Sequence, residues 1–162
     1  MTEHIRMILK GIVLDPVNHM PVILLKQEDA DLLLPIWIGI YEANAIALKL
    51  DNVKTPRPMS HDLLKNVFAE LGATVTDVVI SKLEDNTFFA EIHAKSLDKD
   101  FTIDSRPSDA IALAVRCEVP IFADPEVLKH AQSIKLDDQE NQDQLRKWFE
   151  SLDVEDFGKY KM

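Results

Sequence analysis

The stretch "IDSRPSDAIALAV", residues 103–115, opens with acidic, basic and hydroxyl side chains and continues as an almost wholly apolar segment. Asp104 ends a predicted strand, while Arg106, Ser108 and Asp109 stand where a helix is expected to begin. Carboxylate oxygens bind Mg²⁺ or Mn²⁺, and a guanidinium group binds phosphate through paired hydrogen bonds. These residue types can therefore support metal-assisted hydrolysis of a phosphodiester bond.

A second polar group, in "PRPMSHDLL", precedes another predicted helix. Arg57 supplies a cation, Ser60 a hydroxyl and Asp62 a carboxylate, and His61 adds a group whose charge changes near neutral pH. Glu42 stands at the start of a third predicted helix. If the fold brings a strand end and these helix starts together, the chain has one catalytic site.

We assign three roles within that predicted site, with His61 as proton donor and the arginines as phosphate ligands. The assignment is catalytic residues Asp62, His61, Asp104 and Asp109, substrate-binding residues Arg57, Arg106, Ser60 and Ser108, and metal ligands Asp62, Asp104, Asp109 and Glu42. The expected cofactor is a divalent cation, Mg²⁺ or Mn²⁺.

Helix capping is an alternative explanation for the same carboxylates. Pro107 favours Arg106 as N-cap and itself as first helical residue. Asp109 then lies in the first turn, where the helix dipole stabilises a negative charge by roughly 0.3–1 kcal/mol. Only Asp104 falls outside a helix. On this explanation the chain is a non-catalytic oligomeric binding or regulatory module.

The surrounding pattern predicts an α+β fold with mainly antiparallel strands and three or more helices. Strands with short connections occupy residues 3–38 and 73–104, which favours antiparallel meanders. In the second range, "TFFAEIHAK" alternates between two faces as a strand does, and "EDN" before it is predicted as a hairpin turn. Helices are predicted in "YEANAIALKL" and in "SHDLLKNVFAELG", where Ser60 is the expected N-cap and Gly72 the C-terminal stop. A third follows Arg106, and "VPIFA" and "PEVLKHAQ" are predicted as a short strand and a short helix.

The charge balance limits the possible partners. The 28 acidic and 18 basic residues give a net charge of −10, whereas tight nucleic-acid binding depends on lysines and arginines. We therefore expect only transient contact with nucleic acid, bridged by metal ions. The single cysteine, the lack of a signal-like start and the lack of a long apolar run favour a cytoplasmic protein without a membrane segment.

A change in composition divides the chain into a domain at residues 1–133 and an appendage at 134–162. The appendage starts as an acidic, glutamine-rich linker, and Leu145, Trp148, Phe149 and Leu152 then recur at helical spacing. This amphipathic segment is expected to dock on its own domain or on a neighbouring subunit.

Four motifs occur in a fixed order: "LPIWIGIYEANAIA", "PRPMSHDLL", "TFFAEI" and "IDSRPSDAIALAVRCEVPI". Together, over about residues 5–131, they make the chain resemble the bifunctional nuclease domain family. The resemblance implies an α+β domain built on antiparallel strands, a homo-oligomer with a dimer favoured, and activity on DNA and RNA. The family's polar positions fall on the two Arg-Pro segments described above, and Glu42 matches the acid of the first motif.

Overall fold

The computed structural model describes residues 3–131 and 134–135. Its framework is one sheet of eight strands. The strands are β1 (Ile5–Leu14), β2 (Pro21–Gln27), β3 (Leu32–Trp37), β4 (Thr74–Glu84), β5 (Thr87–Lys95), β6 (Asp100–Ser105), β7 (Ile121–Ala123) and β8 (Ile134–Lys135). The helices are α1 (Ile40–Leu50), α2 (Ser60–Glu70), α3 (Pro107–Cys117) and α4 (Pro125–His130).

The sheet consists of two antiparallel meanders joined by a short strand. Its order is β6-β5-β4-β7-β1-β2-β3-β8, and β7 lies parallel to β4 and antiparallel to β1. All other neighbouring pairs are antiparallel. The α+β class and the meanders expected from the sequence are confirmed. The sheet also reaches β8, two residues beyond the boundary expected at residue 133.

Short local signals account for the connections within each meander. Asp85 and Asn86 both have positive φ, the conformation that a two-residue hairpin loop between β4 and β5 requires. On β5, Phe88, Ala90 and Ile92 alternate inward and are buried. The period of two that predicted this strand therefore corresponds to one face turned to the core.

Helix α3 forms the centre of the helical layer. It packs against β4 and β5, and α1 and α2 flank it. The stretch from Ala110 to Ala114 is fully buried, which explains why "AIALA" has no polar face. As expected, Arg106 is the N-cap residue in extended conformation and Pro107 is the first helical residue.

Helix α2 differs from the sequence prediction at its start. Its N-cap is Met59, and Ser60 is the first helical residue. The expected serine cap was wrong because the Asp62 side chain accepts the hydrogen bond from the Met59 amide. The helix ends before Gly72, as predicted, and Gly72 has a φ of +72°. No residue of α2 is fully buried.

No helix among the described residues is long and apolar enough to cross a membrane.

Candidate functional site

Four charged or titratable side chains from α1, α2 and the start of α3 form a continuous chain of contacts. Arg106 donates through Nε to Asp109 Oδ2 at 2.8 Å and through Nη1 to Glu42 Oε1 at 3.0 Å. His61 Nε2 lies 2.9 Å from Asp109 Oδ1. We call Glu42, Arg106, Asp109 and His61 the cleft network. Its contacting members are up to 64 residues apart in sequence, so tertiary packing assembles it.

The backbone brings Glu42 close to the start of its own helix. Gly39 is the N-cap of α1, and a Cβ at Gly39 would collide with the Glu42 carboxylate. The absence of a side chain therefore lets this carboxylate fold over the helix start and meet Arg106. The requirement for glycine here is steric and does not come from backbone dihedrals.

Electrostatic interactions within the cleft network favour the ionised forms of Asp109 and Arg106. Burial acts to raise the pKa of Asp109, but hydrogen bonds and charge interactions with Arg106 and His61 outweigh it, so the pKa lies below its usual range. The hydrogen bond to Asp109 is the main reason that the pKa of Arg106 is raised. Asp109 is therefore a carboxylate with each oxygen committed to a different side chain.

Two surface depressions meet at the cleft network. A cleft of ≈ 390 Å³ on the α1 side is lined by Tyr41, Asn44 and Ala45, and we call it the α1 cleft. A groove of ≈ 580 Å³ on the other side is bordered by β6, and we call it the β6 groove. Ser60, His61, Arg106 and Asp109 line both depressions. The network therefore has access to solvent from two sides.

The β6 groove is mainly apolar beyond these polar residues. Leu64 and Phe68 of α2 form one wall, and Ile92 and Ile103 of the sheet form the other. Aromatic and aliphatic side chains of this kind offer stacking and dispersion contacts to a flat, uncharged group.

Asp62 belongs to a second contact system centred on Arg116. Arg116 is only 4% exposed, and it donates to Asp62 Oδ1, to the Ala45 carbonyl and to the Ala112 carbonyl at 2.8–2.9 Å. Asp62 Oδ2 accepts from the Met59 amide. That backbone hydrogen bond, followed by the interactions with Arg116, lowers the pKa of Asp62 although burial opposes the shift. Arg116 thereby ties α3 to both flanking helices.

The remaining predicted site residues lie apart from the cleft network. Arg57 is exposed and borders a separate depression on the other side of α2. Ser108 is fully buried, lines neither the α1 cleft nor the β6 groove, and its hydroxyl has no hydrogen-bond partner among the described residues. Asp104 is exposed and borders the groove. Its register partner is Glu91, so these two side chains share a face of the sheet.

The carboxylates expected to bind one cation are therefore divided among different partners. Within residues 3–131 and 134–135, no three His, Cys, Asp or Glu side chains are grouped so that they could hold a metal ion. The two oxygens of Asp109 contact His61 and Arg106, and those of Asp62 contact Arg116 and a backbone amide. The described donor set does not fit a centre built from these side chains alone.

Comparisons with known proteins agree in pointing to one family. The family model described as the bifunctional nuclease domain matches residues 22–135. An uncharacterized protein of Mycobacterium tuberculosis is 37% identical over 150 residues, which cover 88% of this chain and 90% of the relative. Bifunctional nuclease 1 of Oryza sativa subsp. indica is 28% identical over 110 residues, and bifunctional nuclease 2 of Arabidopsis thaliana is 32% identical over 106. These matches cover 66% and 64% of this chain but 33% and 32% of the plant proteins.

Proposed function

The chain belongs to the bifunctional nuclease domain family, and we propose that it hydrolyses phosphodiester bonds in RNA, DNA or both. One observation carries the proposal beyond family membership. His61 and Asp109 form a 2.9 Å contact beside a half-exposed arginine, where the α1 cleft and the β6 groove meet. A histidine held by a carboxylate next to a phosphate-binding group is the equipment for general acid–base cleavage.

We assign His61 to proton transfer and Asp109 to holding the imidazole. Ionised Asp109 accepts a hydrogen bond from the protonated Nε2 of His61. Nδ1 is then the unprotonated ring nitrogen, and it can take a proton from an attacking hydroxyl or water. Asp109 is a positioning residue in this scheme, because it acts through His61. The same contact also stabilises the imidazolium that forms after proton transfer.

Arg106 is the proposed phosphate ligand. A guanidinium group has five N–H donors, and Nε and one Nη1 donor are committed to Asp109 and Glu42. Those two carboxylates hold the planar group in one orientation, and its remaining donors are available to a phosphate. Bidentate hydrogen bonds of this kind strengthen as negative charge develops on the transferring group.

A requirement for Mg²⁺ or Mn²⁺ is a separate proposal that is supported by charge. The chain has a net charge of −10, so a nucleic acid approaching it meets overall repulsion. Divalent cations carried on the phosphates would reduce that repulsion. None of the roles given to His61, Asp109 and Arg106 depends on such an ion.

The deciding experiment measures cleavage of end-labelled RNA and single-stranded DNA by purified protein, with Mg²⁺, with Mn²⁺ and with EDTA. We expect His61→Asn to lower the rate by about 10²–10⁴-fold, the usual contribution of a general acid–base group. His130→Asn is the matched control, because His130 is exposed on α4 away from both depressions. Full activity in His61→Asn under conditions where the native chain cleaves would refute the assignment.

Two further variants separate the roles and reveal a contaminating nuclease. Arg106→Gln should raise KM for the nucleic acid, whereas the matched Arg57→Gln, outside the cleft network, should behave like the native chain. Activity that is unaffected by every substitution belongs to a contaminant, and the proposed function then fails. A loss of cleavage activity that appears only when EDTA is added identifies a requirement for a divalent cation, and this result is independent of the residue assignments.

A further inference from the structure

One face of α2 exposes a row of large apolar side chains to solvent. Met59, Leu63, Val67 and Leu71 follow one another at intervals of four residues and are 44%, 57%, 43% and 78% exposed. We call this row the α2 stripe. Residues four apart lie on the same side of a helix. A contiguous apolar row of this kind, unlike a single exposed leucine, indicates a binding surface.

The α2 stripe adjoins the apolar lining of the β6 groove. Leu64 and Phe68, which follow Leu63 and Val67 in sequence, are half-buried in the wall of that groove. On the opposite wall, Ile103 is 38% exposed. The apolar surface is thus larger than one helix row, and it extends toward His61.

We propose that residues 145–152 of the same chain cover the α2 stripe. In the sequence "LRKWFESL", Leu145, Trp148, Phe149 and Leu152 are spaced so that a helix would carry all four on one side. This segment lies outside the described residues. An amphipathic helix laid against an exposed apolar row is a common mode of peptide recognition.

The chain has enough length for this contact. Lys135 ends β8, and nine residues separate it from Leu145. Nine extended residues span roughly 30 Å. Five strand spacings, about 24 Å in total, separate β8 from β4, which α2 contacts while packing mainly on α3. The linker must therefore be close to fully extended to reach the stripe. The linker "LDDQENQDQ" is polar and can cross solvent without needing a surface of its own.

Trp148 makes the proposal directly measurable. The chain has two tryptophans, and Trp37 is buried in the core, so acrylamide quenching of the full chain reports mainly on Trp148. The native chain should protect Trp148, with quenching well below that of the urea-unfolded chain. Leu63→Asp should abolish this protection. Asn66→Asp is the matched control, because it adds the same charge to an exposed position of α2 outside the stripe, and it should leave the protection intact.

A reciprocal substitution guards against damage to α2 itself. Phe149→Asp alters only the proposed occupant and should also expose Trp148, while far-UV circular dichroism of the described fold stays unchanged. If Trp148 is as accessible in the native chain as in urea, the proposal is wrong. It is also wrong if Leu63→Asp leaves the protection unchanged.

Concentration dependence distinguishes the possible arrangements. Protection that does not vary with protein concentration places the segment on its own α2 stripe. Protection that grows with concentration, together with dimer formation, places it on the stripe of a second copy and overturns the assignment to the same chain. A dimer that Leu63→Asp dissociates while Trp148 is exposed throughout would show stripe-to-stripe pairing and overturn the proposal.

Discussion

Replacement of Arg116 by methionine tests whether a buried guanidinium group holds the three helices together. Methionine keeps much of the aliphatic volume but removes the charge and the donors to Asp62, Ala45 and Ala112. Removing one partner of a buried ion pair typically costs about 3–5 kcal/mol. The Asp62 side chain is 37% exposed, so water can replace part of the lost interaction. We therefore expect the free energy of unfolding to fall by about 2–4 kcal/mol.

Arg116→Lys separates charge from geometry. A lysine keeps the positive charge, but its compact ammonium group cannot reproduce the planar fork that serves Asp62 and the Ala45 carbonyl together. Its expected cost is about 1–2 kcal/mol, close to one lost hydrogen bond. Urea denaturation with an unchanged m-value is the measurement. Arg6→Met is the matched control: Arg6 is exposed and 3.7 Å from Glu28, so its loss should stay within about 0.5 kcal/mol.

A double-mutant cycle with Asp62→Ala isolates the Arg116–Asp62 interaction. Contacting residues of one hydrogen-bond network couple by about 0.5–3 kcal/mol, whereas independent sites add. Additive effects, or an Arg116→Met variant within about 0.5 kcal/mol of the native chain, would refute the view that Arg116 ties α2 to α1 and α3. Because Asp62 adjoins His61 on α2, loss of the Arg116–Asp62 interaction should also lengthen the contact between His61 and Asp109.

Two further predictions concern the cleft network. The pKa of folded Asp109 lies below its unfolded value of about 3.9, so its ionised form stabilises the fold above that pH, and the contribution disappears as the pH falls through the folded pKa. Asp109→Asn should therefore flatten the acid limb of a plot of urea midpoint against pH; an equally steep limb would contradict the shift. Gly39→Ala should push the Glu42 carboxylate away from Arg106 and lower kcat/KM. Its free energy of unfolding should change by less than about 1 kcal/mol, because the colliding atom ends a flexible side chain. Native kcat/KM would exclude a role for Glu42 in orienting Arg106.

Features with a local physical cause could be predicted from the sequence. The alternation in "TFFAEIHAK" predicted β5 because one face of the strand is buried. Arg106 and Pro107 predicted the start of α3 because proline restricts the residue before it and suits the first helical turn. The hairpin at Asp85 and Asn86 was predicted for the same kind of reason, since these residue types tolerate positive φ.

Features that depend on tertiary packing could not be predicted in this way. Arg116 is the one cation of α3, and its partners Asp62 and Ala45 are 54 and 71 residues away. Its position in "AIALAVRC" was the available signal, since a lone cation on a buried helix must find partners. The insertion of β7 between β1 and β4 likewise has no local signature, although it joins the two meanders beneath the helices.

Periodicity also cannot distinguish a face that packs on the core from one that packs on a partner. Leu63, Val67 and Leu71 recur at helical spacing in "SHDLLKNVFAELG", yet all three are exposed among the described residues. A period of 3.6 shows that a helix has an apolar side. It does not show which surface covers that side, and here the sheet leaves most of it open.

The choice between helix capping and a chemical site turns on which atoms each carboxylate contacts. Asp62 does behave as a capping residue, because one oxygen accepts from the Met59 amide at the start of its helix. Asp109 occupies the corresponding position in α3, but its two oxygens contact His61 and Arg106. A capping hydrogen bond therefore accounts for one oxygen of Asp62 and for neither oxygen of Asp109. The contacts of Asp109 with an imidazole and a guanidinium group, where two depressions meet, are the observation on which the proposed hydrolytic role rests.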